Sequence, residues 1–454
     1  MKTTLKWMMP CILTGFFTFI VTKKADAAFL NAIVDGNGIL NITTSPSQTI
    51  LNLRISGNSL IIETKESLVS PAISRGTYLL NSFKIIRYIG SDAIDLFTAT
   101  GINIPVIGIG NGGNDILTGG NADDTLIGGA GTDSLLGNEG DDTLVGIDGA
   151  LGDNLQGGNG KDIFWSDFIG GQRDGINFEA GDVIHEVNRF ANGADLTLNG
   201  DALSDPAINT EFTSGWVYQN MRGKPLFSAQ GPKYTDINQG GGGNCKIVSS
   251  LSSLAFNVVS GNAWIVQRAM ADFGDGTFGV KLGANYYRVD GDLPNGMAKP
   301  GPQESIWAAI AEKAICFYAP RTNIIQWQDL FSIGPESVFI GFGAQTATGL
   351  IIGQQYSSAQ DMLVKLEGSF NAYQNVVFTL FNATANGGHA YTFLGVVKEG
   401  GKITGVKFRN PWGYDGNANG YNDGNPNDAI ITLTAQQIWQ DSGAGRAYIG
   451  ARIQ

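Results

Sequence analysis

The sequence predicts a multidomain chain in which a parallel β-roll, or β-solenoid, precedes an α+β domain. Three observations predict this fold class. The chain has 454 residues, enough for roughly two to four domains at about 150 residues each. An internal stretch rich in glycine and aspartate repeats with a period of nine. A C-terminal part of different composition carries separated cysteine, histidine and asparagine motifs.

Composition excludes several classes of protein. Hydrophobic residues make up 43% of the chain and charged residues 15%, so it has the material for a packed core and is not globally disordered. A net charge of −12 argues against a nucleic-acid partner. Two histidines and three cysteines are too few for a His-rich or Cys-rich zinc site.

Residues 1–27 are typical of a secretory signal peptide. Two lysines precede an apolar run over 7–21, and Ala25 and Ala27 have the spacing of a cleavage site. An uncleaved membrane anchor is the alternative, although the run is shorter than the ~20 residues of a span. Either interpretation places the bulk of the chain outside the cytoplasm, secreted or at the cell surface. Cleavage would remove Cys11 and leave no membrane span in the mature chain.

Residues 28–89 are predicted to form strands. Two apolar runs, 50–55 and 59–64, are separated by glycine, asparagine and serine turn signals. The segment is either a small β domain or a β lead-in to the repeats.

Residues 90–191 are predicted to be the β-roll with its closing coils. The repeat units begin at residues 110, 119, 128, 137, 146 and 157, and the unit at 146 has two extra residues. Every unit keeps an aspartate at its sixth position and an apolar residue at its eighth. The aspartates are Asp115, Asp124, Asp133, Asp142, Asp153 and Asp162, and the apolar residues are Leu117, Leu126, Leu135, Leu144, Leu155 and Phe164.

This pattern predicts one tight turn and one short strand per unit, so that two units complete a coil. The apolar position points inward, and aspartates two units apart converge on one turn edge, where carboxylate and carbonyl oxygens suit Ca²⁺. Twelve acidic residues and one basic residue lie between 90 and 165. The metal should therefore supply folding free energy. The units resemble the hemolysin-type (RTX) calcium-binding repeat; the other interpretation is a flexible Gly-rich linker.

Two further segments follow the repeats. Segments 162–168 and 181–186 are expected to be irregular coils that close the roll, with His185 at the surface or as a capping residue. The polar residues 192–210 are expected to link the roll to a last domain at 211–454.

Three motifs in the last domain point to a thiol hydrolase. A glycine-rich turn at 240–243 leads to Cys245 and a predicted helix, whose N-terminus would favour the thiolate. His389 begins a predicted strand, and Asn410 ends the next one. This chain order suits a nucleophilic cysteine whose imidazole base is oriented by an amide.

The region resembles the protease core of the calpains, within the papain-like cysteine peptidases. Cys245, His389 and Asn410 fall on that family's triad, and Gln239 falls on its oxyanion-hole glutamine. Segments 287–294 and 304–314 resemble its strand with an acidic turn and its interior helix. The resemblance implies an α+β papain-like fold and a secreted endopeptidase acting on a protein or peptide substrate. Asn244 and Lys246 depart from the family's usual aspartate and tryptophan.

Several alternatives stay open at this stage. Cys245 could form a disulfide with Cys316, and His389 could be an ordinary core histidine. The loop 415–423 has part of the oxygen spacing of a calcium loop, but its twelfth position is Pro426. The whole chain could instead be a calcium-binding surface or adhesion protein with a non-catalytic peptidase-like domain.

Overall fold

A computed structural model describes most of the chain after residue 29. The described residues are 30–44, 49–197, 200, 203–208, 215–256, 264–320, 323–351, 354, 356–372, 374–380, 388–415, 427–440 and 446–450. The predicted signal peptide lies outside them, as do residues 416–426 of the candidate calcium loop. Within the described ranges, no helix has both the length and the apolar character needed to cross a membrane.

The N-terminal part, called the roll below, is a parallel β-solenoid of about five turns. It consists of two facing sheets, called here the first sheet and the second sheet. The first sheet contains β1 (Leu30–Val34), β2 (Ile39–Thr44), β6 (Ile85–Ile89), β8 (Val106–Ile109), β10 (Thr125–Ile127), β12 (Thr143–Gly146), β14 (Ile163–Ile169), β15 (Gln172–Arg173) and β17 (Val183–Val187). The second sheet contains β3 (Thr49–Ser56), β4 (Ser59–Lys65), β5 (Ile73–Leu79), β7 (Asp95–Thr98), β9 (Ile116–Thr118), β11 (Ser134–Glu139), β13 (Asn154–Asn159) and β16 (Gly175–Asn177).

The nine-residue period produces this architecture directly. Successive repeats alternate between the two sheets, so each strand pairs in parallel with the strand two units away, as Leu126 does with Leu144. The apolar residues at position eight are all at most 1% exposed and form one column of core between the sheets. Strands before residue 90 extend the same two sheets, which makes that segment a lead-in to the solenoid.

The expectation of irregular closing coils is wrong for both segments, because residues 163–169 and 183–187 form the regular strands β14 and β17. Strand β17 pairs in parallel with β14, with Trp165 opposite His185, and so forms a further regular rung. His185 is also not a surface residue. It is 3% exposed, and its Nε2 lies 2.6 Å from the carbonyl oxygen of Arg268 in the C-terminal part.

The C-terminal part combines helices with antiparallel sheets. Its helices are α1 (Cys245–Ala255), α2 (Trp264–Gln267), α3 (Trp307–Tyr318), α4 (Pro335–Gly341), α5 (Ala359–Asn371) and α6 (Ala435–Trp439). A three-stranded sheet, called the small sheet, contains β19 (Met270–Asp272), β20 (Thr277–Leu282) and β21 (Asn285–Asp290), while β18 (Tyr218–Asn220) pairs with β22 (Asp292–Pro294). A six-stranded sheet contains β23 (Ala347–Ile351), β24 (Asn375–Leu380), β25 (His389–Glu399), β26 (Lys402–Arg409), β27 (Ile430–Thr434) and β28 (Arg446–Gly450).

Helix α1 lies between the core around the small sheet and the six-stranded sheet. Its apolar side chains, such as Leu251, join a core that also contains α3, α4 and the small sheet. Its polar side faces β25, where Ser249 Oγ donates a 3.0 Å hydrogen bond to the carbonyl of Ala390. The six-stranded sheet has its own core against α5 and α6. The predicted helix after Cys245 and the predicted strand from His389 are confirmed.

Candidate functional site

The six repeat aspartates form an aspartate ladder along the turn edges of the roll. All six are at most 3% exposed, although isolated carboxylates are costly to bury. The Oδ1 atom of each accepts a backbone N–H from one coil earlier, as when Asp124 N donates to Asp142 Oδ1 at 2.8 Å and Asp142 N to Asp162 Oδ1 at 2.9 Å. One carboxylate oxygen of each aspartate therefore fixes the spacing of the coils.

The second carboxylate oxygen has a different environment. In the described part of the chain, Oδ2 is buried without a hydrogen-bond partner in five of the six, namely Asp115, Asp133, Asp142, Asp153 and Asp162. In the sixth, Asp124 Oδ2 accepts the N–H of Gly120 at 2.5 Å. A row of buried acceptors without donors indicates places for a cation.

Glycine at the first position of each unit leaves room for that cation. A β-carbon on Gly137 would lie 2.1 Å from Asp142 Oδ2 and 2.5 Å from the carbonyl oxygen of Gly157. At Gly110, the corresponding distances to Asp115 Oδ2 and the Gly128 carbonyl are both 2.3 Å. Carboxylate and carbonyl oxygens thus border the same small space, which any side chain at this position would fill.

The raised pKa values of the ladder aspartates also indicate a place for a cation. Burial raises the pKa of Asp142 to about 9, and the neighbouring charge of Asp124 adds to the shift. Burial likewise raises the pKa of Asp153 to about 8 and that of Asp115 to about 7. Proteins relieve this cost by protonating the carboxylates or by binding a cation. A divalent ion replaces the missing partners of several aspartates together.

The donor set fits calcium. Beside Gly137, the carboxylate oxygen of Asp142 and the backbone carbonyl oxygen of Gly157 border the same space. Such all-oxygen sets from a flexible turn are those Ca²⁺ accepts. Residues 109–144 match the RTX calcium-binding nonapeptide repeat, in four copies. These repeats bind calcium. No curated protein matches the chain at a significant level.

The ladder extends beyond the six predicted aspartates. Thr49 N donates to Asp95 Oδ1 at 2.8 Å, Asp162 N to Asp182 Oδ1 at 2.9 Å, and Gly152 N to Asp174 Oδ1 at 3.0 Å. From the sequence, residues 90–98 with Asp95 are only a degenerate outlier of the repeat, and Asp174 and Asp182 were missed because the units around them have lost the glycine spacing. Gly181 before Asp182 and the apolar alternation after it were the available signal.

The glycine cradle leads to a first prediction. Gly137→Ala should raise the calcium concentration needed to fold the roll by about tenfold or more, since the methyl group would displace a ligand oxygen. Gly175→Ala is the matched control, because its β-carbon would meet nothing closer than 3.3 Å. Calcium titration followed by circular dichroism measures both. Equal midpoints for the two variants would contradict the assignment of this space to the ion.

The predicted nucleophile occupies the start of α1. Cys245 is its first residue, and the thiol is 9% exposed. In the same helix, Ser249 Oγ donates to the carbonyl of Ala390 in β25 at 3.0 Å. Thr392 Oγ1 also donates to the Ser249 carbonyl at 2.9 Å, which holds α1 on the strand that His389 begins. The helix that Cys245 begins is therefore packed on the strand that His389 begins.

His389 and Asn410 form a buried pair. Nε2 of His389 lies 2.9 Å from Oδ1 of Asn410, and the two residues are 5% and 0% exposed. The ring of Trp412 covers the pair, with its centroid 4.5 Å from that of the imidazole. This arrangement shields the His389–Asn410 hydrogen bond from water.

The tautomer of His389 follows from the contacts of Asn410. Oδ1 of Asn410 also accepts the backbone N–H of Trp412 at 3.0 Å, and its Nδ2 donates to the carbonyl of Asp415 at 3.3 Å. Since the amide oxygen thus faces the histidine, Nε2 must carry the proton. In the neutral imidazole, Nδ1 is then the nitrogen that can accept a proton.

Gln239 is tied to the same cluster. Its backbone N–H donates to the carbonyl of Pro411 at 2.7 Å, and its side-chain Nε2 donates to the carbonyl of Gly242 at 2.6 Å. An amide nitrogen has two N–H bonds, so one of them is committed to the glycine turn and one remains. The segment that leads to Cys245 is thereby joined to the segment that follows Asn410.

Burial favours the neutral forms of the cysteine and the histidine. It raises the pKa of the Cys245 thiol, against the lowering contacts of Ala390 and Lys246. It also lowers the pKa of His389 to about 4, against the hydrogen bond that the imidazole donates to Asn410. Burial therefore opposes the thiolate that the helix N-terminus is expected to favour.

The surroundings of Cys245 correct one further expectation. Cys245 and Cys316 are both free and buried, so the disulfide alternative does not hold. Cys316 is 0% exposed in the core around α3. Asn244, where the calpain resemblance expects aspartate, is fully buried and donates its side-chain N–H to Glu312.

Proposed function

We propose that the chain is a secreted cysteine endopeptidase joined to a calcium-binding roll. The observation that carries this proposal is the orientation of His389 by Asn410 beneath Trp412, next to the helix that Cys245 begins. This arrangement supports a base at His389, because the amide selects the tautomer of the imidazole and the indole shields their hydrogen bond from water. The resemblance to calpains and to the wider papain-like fold supports the same activity and a protein or peptide as substrate.

The proposed mechanism gives each of these groups one role. Nδ1 of His389 takes the proton of the Cys245 thiol as the sulphur attacks the peptide carbonyl carbon. The backbone N–H of Cys245 and the remaining side-chain N–H of Gln239 stabilise the oxyanion. His389 then protonates the leaving amine. Water hydrolyses the thioester, which releases the acid and restores the thiol.

Calcium has no chemical step in this proposal. When bound, it neutralises the aspartate ladder and supplies folding free energy to the roll. RTX repeat proteins are typically secreted, and this agrees with the predicted signal peptide. Secretion therefore belongs to the same proposal.

A thiol-directed peptidase inhibitor tests the proposal. Incubated with calcium-loaded protein, such an inhibitor should form a covalent adduct on Cys245, which peptide mass spectrometry locates. Cys245→Ala should abolish the adduct and Cys316→Ala should retain it, since Cys316 is buried away from the histidine. If the intact protein forms no adduct, the binding or adhesion alternative replaces the peptidase.

A further inference from the structure

The outer face of the first sheet of the roll is apolar, although outer faces of a solenoid normally meet water. Five residues of this outer face, called the docking face below, are Ile109, Ile127, Val145, Ile163 and Trp165. Each of them is at most 5% exposed and packs against the C-terminal part. The corresponding position of the second sheet holds Thr118, Leu136 and Gln156, which are not fully buried. Alternate repeats thus present different surfaces.

The docking face contacts the small sheet directly. A β-carbon on Gly279 would lie 2.4 Å from the ring of Phe273 and 2.9 Å from that of Trp165. A β-carbon on Gly274 would lie 3.0 Å from Ile109. The backbone of the small sheet and its turn therefore rest on the side chains of the roll without space for a layer of water.

Polar contacts surround this apolar contact. Arg87 of the roll donates to the carbonyl of Gly223 at 2.6 Å and lies 4.0 Å from Asp272. The fully buried Arg288 of β21 donates to the carbonyls of Asp195 and Thr197 at 2.9 and 2.7 Å, in the segment predicted to be a linker. These hydrogen bonds fix the start of that segment to the C-terminal part.

The small sheet is buried on both faces. Phe278, Val280 and Leu282 point into the core that contains α1 and Cys316. The opposite face, with Ala271 and Phe273, lies in the cluster formed with the roll. Loss of the roll would expose one face of a sheet whose other face supports the helix of Cys245.

We infer that the docking face makes the calcium-loaded roll a structural part of the C-terminal domain, so that calcium controls the integrity of the core around α1. This inference goes beyond the proposed function and holds whether or not Cys245 is catalytic. If calcium binds only the folded roll, a free calcium concentration of about 100 times the Kd lowers the population of the unfolded roll about 100-fold for each site. The docking face transmits this effect to the small sheet.

Labelling of Cys316 in the full-length protein tests the inference without any activity assay. Maleimide labelling, measured by peptide mass spectrometry, should be at least about tenfold faster after chelation than with calcium. Ile127→Asp should abolish protection by calcium, because it buries an unpaired charge in the docking face. Leu136→Asp is the matched control at the same repeat position on the second sheet and should retain protection.

Hydrogen exchange, measured in parallel, shows whether the roll of Ile127→Asp still folds when calcium is bound. If this roll does not fold, Phe273→Ala is used instead of Ile127→Asp. Phe273→Ala leaves every residue of the roll unchanged and should also lose the protection of Cys316. Calcium-independent labelling of the wild type while its roll unfolds would overturn the inference. So would retained protection in the interface variant whose roll still folds.

Discussion

Removing calcium is expected to unfold most of the roll. The aspartate ladder places six carboxylates at most 3% exposed in two rows, and five Oδ2 atoms have no partner among the described residues. Without the ion these groups repel one another or must take up protons, while short glycine-rich strands bury little apolar surface. Each ion at about 100 times its Kd stabilises the folded state by about 2.7 kcal/mol, so several sites together contribute a free energy comparable to the stability of a typical domain, about 5–15 kcal/mol.

Hydrogen exchange with and without chelator measures this effect at the level of individual strands. Amides of β10, β11 and β12, around Leu126, Leu135 and Leu144, should lose protection on chelation and regain it with calcium. Magnesium at the same concentration is the control, because it prefers octahedral sites that retain water and should restore less protection. Full protection in the presence of chelator would contradict a role for calcium in folding.

Substitution of the proposed triad should have the largest effect on turnover. Cys245→Ala and His389→Ala should each lower kcat by about 10⁴-fold or more, since the other histidine, His185, lies in the roll and Cys316 is buried in the core around α3. The loss of kcat in Asn410→Ala should be smaller by about one to two orders of magnitude, because the asparagine orients the imidazole and takes no part in bond making. The Cys245→Ala/His389→Ala double variant should be no worse than either single variant, because the two groups act as a unit.

Steady-state cleavage of a peptide substrate measures these values. Normal calcium-dependent protection of the roll in each variant is the control for folding. Losses that simply multiply in the double variant would show that the cysteine and histidine act independently and would contradict the proposed mechanism.

Local features of the fold were predictable because short-range rules decide them. The nine-residue period places Leu126 and its equivalents inside a solenoid, since no other register buries every apolar position together. The glycine turn before Cys245 and the apolar spacing after it predict a helix that starts at the thiol. The position of Asn410 after a strand likewise follows from the asparagine-proline pair that ends β26.

Features that depend on distant contacts could not be predicted in this way. Ile127 and Leu136 occupy the same repeat position and look alike in sequence, yet only Ile127 is covered by another part of the chain. His185 follows an acidic turn and looks exposed, but β17 carries it under the C-terminal part. The pKa directions of Cys245 and His389 depend on burial, which the helix N-terminus alone does not reveal.

The most direct test of the central claim is the appearance of new peptide termini. Calcium-loaded protein is incubated with an unfolded protein substrate, and the new N-termini are identified by mass spectrometry. The account predicts internal cleavage by the wild type and by Cys316→Ala, and none by Cys245→Ala. Absence of new termini with the wild type, or equal cleavage by Cys245→Ala, would contradict it.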